Sequence, residues 1–341
     1  MSDAHVTDGL RSATGIRPPG GGVRPEPGTP PVNAPPDPFA QTDGEFALQT
    51  GLKDLFVTAV GGGGRITDTI HTTAVDPGYL ETFRLWTEEG SPYYAIQTID
   101  GHWVTAVGAG GRITDTIHTD ATNVASWELF TPVRVAETDH GVSGFAFQTT
   151  KGYFLTAVGG GGHDTGDTIH TDATVAQSWE TFRPYRRGAF GTGTTYGIQV
   201  WGGNRSEQAD LRGWLVAVDG GGYPTAGGLW LAEEGQLDEL SWTLLKQPDG
   251  RYALQTSHGT VLTAIDGGAP GSGFSTNTPV DAIGENEKFT LVDNGDFTAW
   301  IQTPIGTYIS NDTSIVADVS NISRALRFRL QIFDWAPGPT G

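Results

Sequence analysis

The stretch Thr-Ala-Val-Gly-Gly-Gly-Gly-Arg-Ile-Thr-Asp-Thr-Ile-His-Thr, residues 58–72, decides the reading of this chain. It returns almost letter for letter at Thr105–Thr119, and again with one residue inserted at Thr156–Thr171. A phrase repeated at roughly 50 residues is one structural unit used again. Fainter copies follow at Val216-Ala217-Val218-Asp219-Gly220-Gly221-Gly222, Leu262-Thr263-Ala264-Ile265-Asp266-Gly267-Gly268 and Tyr308-Ile309-Ser310-Asn311-Asp312. The chain therefore reads as six units in two sets of three.

Each unit keeps one internal order. Alternating runs such as Phe46-Ala47-Leu48-Gln49-Thr50 and Tyr94-Ala95-Ile96-Gln97-Thr98 read as half-buried strands. A second strand, such as Leu55–Val60, runs into the glycines, which predict a tight hairpin turn or bulge because glycine reaches positive φ cheaply. Gly62 and Gly110 are expected to need such conformations. A third strand, Thr69-Ile70-His71-Thr72, leads to a closing one, Glu81-Thr82-Phe83-Arg84-Leu85. Four short strands cannot bury their apolar face alone, whereas three units closed round a pseudo-threefold axis can bury Phe83, Phe130 and Phe182 together. The expected fold is all-β: two tandem β-trefoils, residues 45–190 and 191–336, with a short tail at 337–341. A six-bladed propeller is the rival, since it also repeats four strands. It gives no reason for the first three units to resemble each other more than the last three.

Composition limits the function classes. The chain has 341 residues, 50 glycines, 20 prolines, no cysteine and a net charge of −19. No disulfide framework or thiolate metal site exists. An acidic surface disfavours nucleic acid, whose binding comes mainly from phosphate neutralisation, and it disfavours anionic membranes. Arg183, Arg186 and Arg187 form one tight basic cluster, read as a solvated linker between the trefoils. Residues 1–44 are rich in proline and glycine without apolar periodicity, and are expected to be a disordered arm. No signal-peptide or membrane-spanning stretch is found, so a cytoplasmic location is the default expectation, with non-classical export as the alternative.

The phrases Leu-Thr-Ala-Val, Gly-Gly-Gly, Asp-x-Ile-His-Thr-Asp-Ala-Thr and Trp-Glu-x-Phe resemble the fascin-like β-trefoil repeat of the actin-crosslinking superfamily. The resemblance covers about residues 45–335, is strongest in the first three units and lies closest to bacterial fascin-like domains. It implies the trefoil fold. Actin bundling and attachment to carbohydrate-active enzymes both occur in such a family, and trefoils host many functions.

Motifs for zinc hydrolysis, serine nucleophiles or nucleotide binding are absent. The glycine runs lie between strands, so they offer no helix N-terminus to a phosphate. The one chemical constellation is Asp68/His71, Asp115/His118 and Asp167/His170, with Arg65 and Arg112 on the same hairpins. Asp and His together can accept from and donate to sugar hydroxyls; one of each per unit leaves a metal short of ligands. The opposing reading has Asp capping the turn and His satisfying a buried carbonyl. The second trefoil keeps the strands and turns but replaces this phrase, with Ala226-Gly227-Gly228-Leu229-Trp230-Leu231 in unit four, so the fold tolerates its absence. Trp127 and Trp179 are expected to be partly buried core. The resulting expectation is a monomeric, non-enzymatic binding protein without cofactor. Its leading ligand is a glycan, held by three weak sites acting through avidity. The alternatives are a fascin-like protein- or filament-binding scaffold, or a targeting module for a separate effector.

Overall fold

A computed structural model describes residues 39–42, 44–136, 143–201, 213–233, 235–311, 314–318 and 325–334. The expected arm, apart from residues 39–42 and 44, and the expected tail lie outside the described residues. What is described is all-β, with one single-turn α-helix at Leu237–Leu240.

Six strands of the first three units close a ring of antiparallel pairs. Glu45–Thr50 pairs with Phe83–Thr87, which pairs with Tyr94–Thr98. Tyr94–Thr98 pairs with Leu129–Val135, and Leu129–Val135 with Gly144–Thr149. Gly144–Thr149 meets Phe182–Arg187, which returns to Glu45–Thr50. The closing strand of each unit thus pairs with the opening strand of the next, a connection that separate propeller blades would lack. The last three units make a second ring. Thr195–Val200 pairs with Ser241–Lys246, and that with Tyr252–Thr256. A bridge from Tyr252 to Phe289 leads into Thr290–Asp293, which pairs with Ala299–Gln302. Ala299–Gln302 meets Phe328–Asp334, which pairs back to Thr195–Val200.

Each unit adds a hairpin to its ring. In the first ring these are Phe56–Ala59 with Ile70–Ala74, Trp103–Ala106 with Ile117–Ala121, and Phe154–Ala157 with Ile169–Ala173. Their connection differs from the tight turn expected from the glycines. A 3-10 turn, Val60–Gly62 in unit one, opens into a longer loop. Gly62 (φ 83°) and Gly110 (φ 94°) are left-handed, as expected. At Gly62 the left-handed backbone also sets the residue against its neighbour: a Cβ there would stand 2.0 Å from the Asp100 carboxylate. At the middle residue of the turn, where unit one has Gly61, units four and five use Asp219 and Asp266, also left-handed. Asp is among the few residues that enter this region at modest cost.

The apolar alternation of the strands fills one core per ring. Phe83, Phe130 and Phe182 meet in the first, with Ile70, Ile117 and Ile169. Trp242, Phe289 and Phe328 occupy the second. The two rings touch where Tyr185 and Arg186 pair with Gln331 and Leu330. Here the solvated-linker reading of the arginine cluster is overturned. Arg186 and Arg187 are each 7% exposed, because they lie on a strand hydrogen-bonded on both sides. Arg187 donates to Glu45 at 2.8 and 3.0 Å and stacks 4.7 Å from the Phe297 ring centroid. Arg183 pairs with Asp54.

Candidate functional site

The repeated phrase divides into residues that face inward and residues that face out. Its threonines build the pseudo-threefold axis. Thr69 Oγ1 donates to the Ile117 carbonyl (2.8 Å), Thr116 Oγ1 to Ile169 (2.5 Å), and Thr168 Oγ1 to Ile70 (2.6 Å). The three bonds form a closed cycle. A second cycle fastens each hairpin loop to the third strand of a neighbouring unit. Gly64, Gly111 and Gly162 donate to the carbonyls of Thr119, Thr171 and Thr72, at 2.6–2.8 Å. Thr119, Thr171 and Thr72 donate in return to Arg65, Arg112 and His163 at 2.8–2.9 Å. Leaving one of the buried threonine groups, at Thr69, Thr116 or Thr168 in the first cycle or Thr72, Thr119 or Thr171 in the second, without a partner would cost about 1–3 kcal/mol. Most of the repetition is therefore explained by closure of the ring.

Asp and His are not needed for it. On the strand Ile70-His71-Thr72 the two flanking residues are buried and His71 points the other way, as pleating requires. His71 Nε2 lies 2.7 Å from Asp68 Oδ1, and Arg65 Nη2 lies 3.1 Å from Asp68 Oδ2. The Arg65 Nε–H also donates to the Thr67 and Asp68 carbonyls at 3.3 and 2.9 Å. Asp68 takes a left-handed backbone (φ 51°), which aims its carboxylate back over the hairpin. Unit two repeats this construction. His118 Nε2 stands 2.7 Å from Asp115 Oδ1, Arg112 Nη2 2.8 Å from Asp115 Oδ2, and Asp115 has φ 52°. The histidines are about a quarter exposed and the aspartates about half, so His does not serve a buried carbonyl. The hydrogen bond from His71 holds the Asp68 carboxyl below its ordinary 3.8, with the charges of His71 and Arg65 reinforcing it. His118 does the same for Asp115. Each cluster offers a fixed carboxylate, an imidazole and guanidinium N–H groups to solvent.

Unit three departs from this arrangement. Gly166 is inserted before Asp167, and His163 stands where units one and two have arginine. Asp167 accepts from the backbone N–H groups of Asp115 and Thr116, at 3.0 and 3.3 Å, across the axis. It caps a neighbour's loop, while His170 remains on the outer strand face. Of the three related Asp/His pairs expected, two therefore share one arrangement and the third has another.

The structure also corrects the reading of Trp127 and Trp179, which are 46% and 45% exposed. The inward residue is Glu128, buried because it accepts from Thr105 Oγ1 (2.7 Å) and the Ala125 N–H (2.8 Å). Glu180 does likewise for the Gln177 N–H at 3.0 Å. The acid faces in and the tryptophan beside it faces out. Trp127 and Glu128 lie on the turn before the strand that opens at Leu129, so the period-two rule does not reach them.

Among the described residues no group of three or more His, Asp or Glu side chains is placed to hold a metal ion. No helix among them is long and apolar enough to cross a membrane.

No protein-family model matches the sequence, and no curated protein matches it. Similar solved structures exist. One, described as a mosquitocidal holotoxin, is 10% identical with a TM-score of 0.37, over 86% of this chain and 35% of that one; this chain spans about a third of its length. A designed threefold-symmetric protein, ThreeFoil, is 11% identical with a TM-score of 0.36, over 42% of this chain and 98% of that one. The Rhizoctonia solani agglutinin is 15% identical with a TM-score of 0.32, over 41% of this chain and 92% of that one.

Proposed function

We propose that the chain is a non-enzymatic, lectin-like carbohydrate-binding protein, built as two tandem β-trefoils over residues 45–190 and 191–336. The observation that carries the reading is the outward Arg-Asp-His cluster, held in the same geometry in units one and two. Nothing in the core or in the two axial hydrogen-bond cycles requires it. Sugar hydroxyls are paired donors and acceptors. A carboxylate accepts from them, guanidinium N–H groups donate to them, and an imidazole does either according to tautomer. A preset Asp-His-Arg cluster on a rigid hairpin meets all three needs. Two shallow sites of this kind bind weakly alone and gain from avidity on a surface carrying many glycans. The half-exposed Trp127 and Trp179 supply flat apolar surface on the same ring, suited to the C–H face of a pyranose.

A glycan array with the intact chain tests this, followed by the Asp68→Asn/Asp115→Asn double variant. Asn tolerates the left-handed backbone, so the change removes charge without straining the loop. The expected result is retention of one glycan class by the intact chain and loss of most of it in the double variant, with an unchanged circular dichroism melt. No retained glycan, or unchanged retention in the double variant, rules against the cluster. A protein partner then becomes the ligand class to search.

A further inference from the structure

Unit four holds the two positions of the Arg-Asp-His cluster open to a different chemistry. The registers match pair for pair. In unit one Ala59 pairs with Ile70, and Thr58 with His71; in unit four Ala217 pairs with Leu229, and Val216 with Trp230. The loop bonds match as well. Gly64 N–H to the Thr119 carbonyl (2.6 Å) and Thr119 N–H to the Arg65 carbonyl (2.8 Å) correspond to Gly222 with Thr276 (2.6 Å) and Thr276 with Tyr223 (2.9 Å). Tyr223 therefore stands where Arg65 stands, and Trp230 where His71 does. Both are exposed, Trp230 at 61% and Tyr223 at 36%. Arg65 curls over the Thr67 and Asp68 carbonyls. Tyr223 follows a similar path, its ring edge 3.5 Å from where a Cβ on Gly227 would sit. The loop 222–227 between them is exposed throughout, and nothing stands within 4 Å of a Cβ built on Gly222.

We propose that Tyr223 and Trp230 form a second ligand site, an aromatic shelf for the apolar face of a neutral sugar ring. Its ligand class rests on the carbohydrate reading above; its place and chemistry do not. Covering exposed aromatic surface is favourable, so both rings can contribute to holding a ligand. The two rings offer roughly 200 Å² of contact at most. A specific protein interface buries about 800 Å² per partner, so the shelf suits one small ring rather than a protein face. Nucleotides also stack their bases on such rings, but their phosphates are disfavoured by the chain's net charge of −19. A pyranose has a flat C–H face for the rings and hydroxyls at its edge for the exposed Thr225. The second ring would thus select by stacking where the first selects by charge-assisted hydrogen bonds.

The test repeats the glycan array with the Asp68→Asn/Asp115→Asn variant, which silences the first sites. Residual retention of neutral glycans is expected. Adding Trp230→Ala or Tyr223→Ala should weaken it at least tenfold, and Trp230→Phe should restore most of it. The Trp230 indole N–H resonance should shift when the best retained neutral oligosaccharide is added. Loss of all retention in the double variant, or retention indifferent to Trp230→Ala, overturns the shelf and leaves the first sites standing. If the intact chain binds glycans that only Trp230→Ala removes, the shelf stands and the charged clusters fall. An intact chain that retains no glycan overturns both.

Discussion

Within the phrase Asp-Thr-Ile-His-Thr, alternate residues do opposite work. Thr168 Oγ1 supplies a proton to the buried Ile70 carbonyl, so Thr168→Val should cost about 1–3 kcal/mol in urea unfolding. His71→Ala removes a partly exposed group whose partner remains solvated, and should stay within about 0.5 kcal/mol. The pH dependence follows from the carboxylates. Asp68 and Asp115 are held below 3.8 by their histidines first. A carboxyl with a lowered folded-state value contributes its stabilisation above the unfolded value, and loses it as pH falls through the lower folded one. The clusters should therefore persist through about pH 4, with carboxylate ¹³C resonances of Asp68 and Asp115 titrating below 3.8, while His71→Ala moves Asp68 back up. The sequence pointed to these aspartates and histidines because repetition made them conspicuous. It could not separate Asp68 from Asp167, since that depends on one inserted glycine and on which backbone amides happen to come within reach across the axis.

At the scale of the element, the hairpin loop is fixed by what lies beneath it. Gly62 packs on Asp100, the residue to which Tyr79 donates its hydroxyl proton. Burial first, and then that bond, push the Tyr79 hydroxyl up to about 12. Gly62→Ala should displace Asp100 and strain a φ of 83°, costing on the order of 1–3 kcal/mol and returning the Tyr79 titration toward 10. Unit two already carries a side chain here: Ala109 occupies the same step of the turn, at φ 60°. Relief of its left-handed strain and loss of its buried methyl offset each other, so Ala109→Gly should lie within about 1 kcal/mol of zero. An unchanged Tyr79 titration in Gly62→Ala would show that the loop does not rest on Asp100. The strands and the closing phenylalanines were legible, because period-two alternation ending on Phe83, Phe130 and Phe182 marks which face of each unit turns to a core. The loop was not, because a glycine run permits many turns and the choice was made by side chains of the next unit. Trp127 failed for a nearby reason: a buried Glu128 breaks the habit of assigning acids to solvent.

For the whole molecule, the question is whether the two rings act as separate bodies. Their seam is built of charges withdrawn from water. Arg187 is held by Glu45 and donates to the Gly295 carbonyl at 2.5 Å. Arg329 lies 3.3 Å from the Trp201 ring centroid and donates to Asp76 at 3.2 Å, and burial pulls its pKa down. Tyr185, pushed up to about 12 by burial, keeps its proton among the side-chain carbonyls of Gln49, Gln199 and Gln331, at 3.2–3.3 Å. Some of these contacts join the two halves of the chain, so parting the rings would take Arg329 from Asp76 and Arg187 from the Gly295 carbonyl, while Glu45 stays with Arg187. Trypsin should therefore spare Arg186 and Arg187 in the native protein, contrary to what a solvated linker implies, and calorimetry should show one unfolding transition. Glu45→Ala leaves Arg187 buried without its counter-charge. It should cost on the order of 3 kcal/mol, and if the seam is what couples the rings, the single transition should divide into two. A single transition that survives in Glu45→Ala, with stability unchanged, would mean the strand pairing of Tyr185 and Arg186 with Gln331 and Leu330 couples the rings without help from the charges.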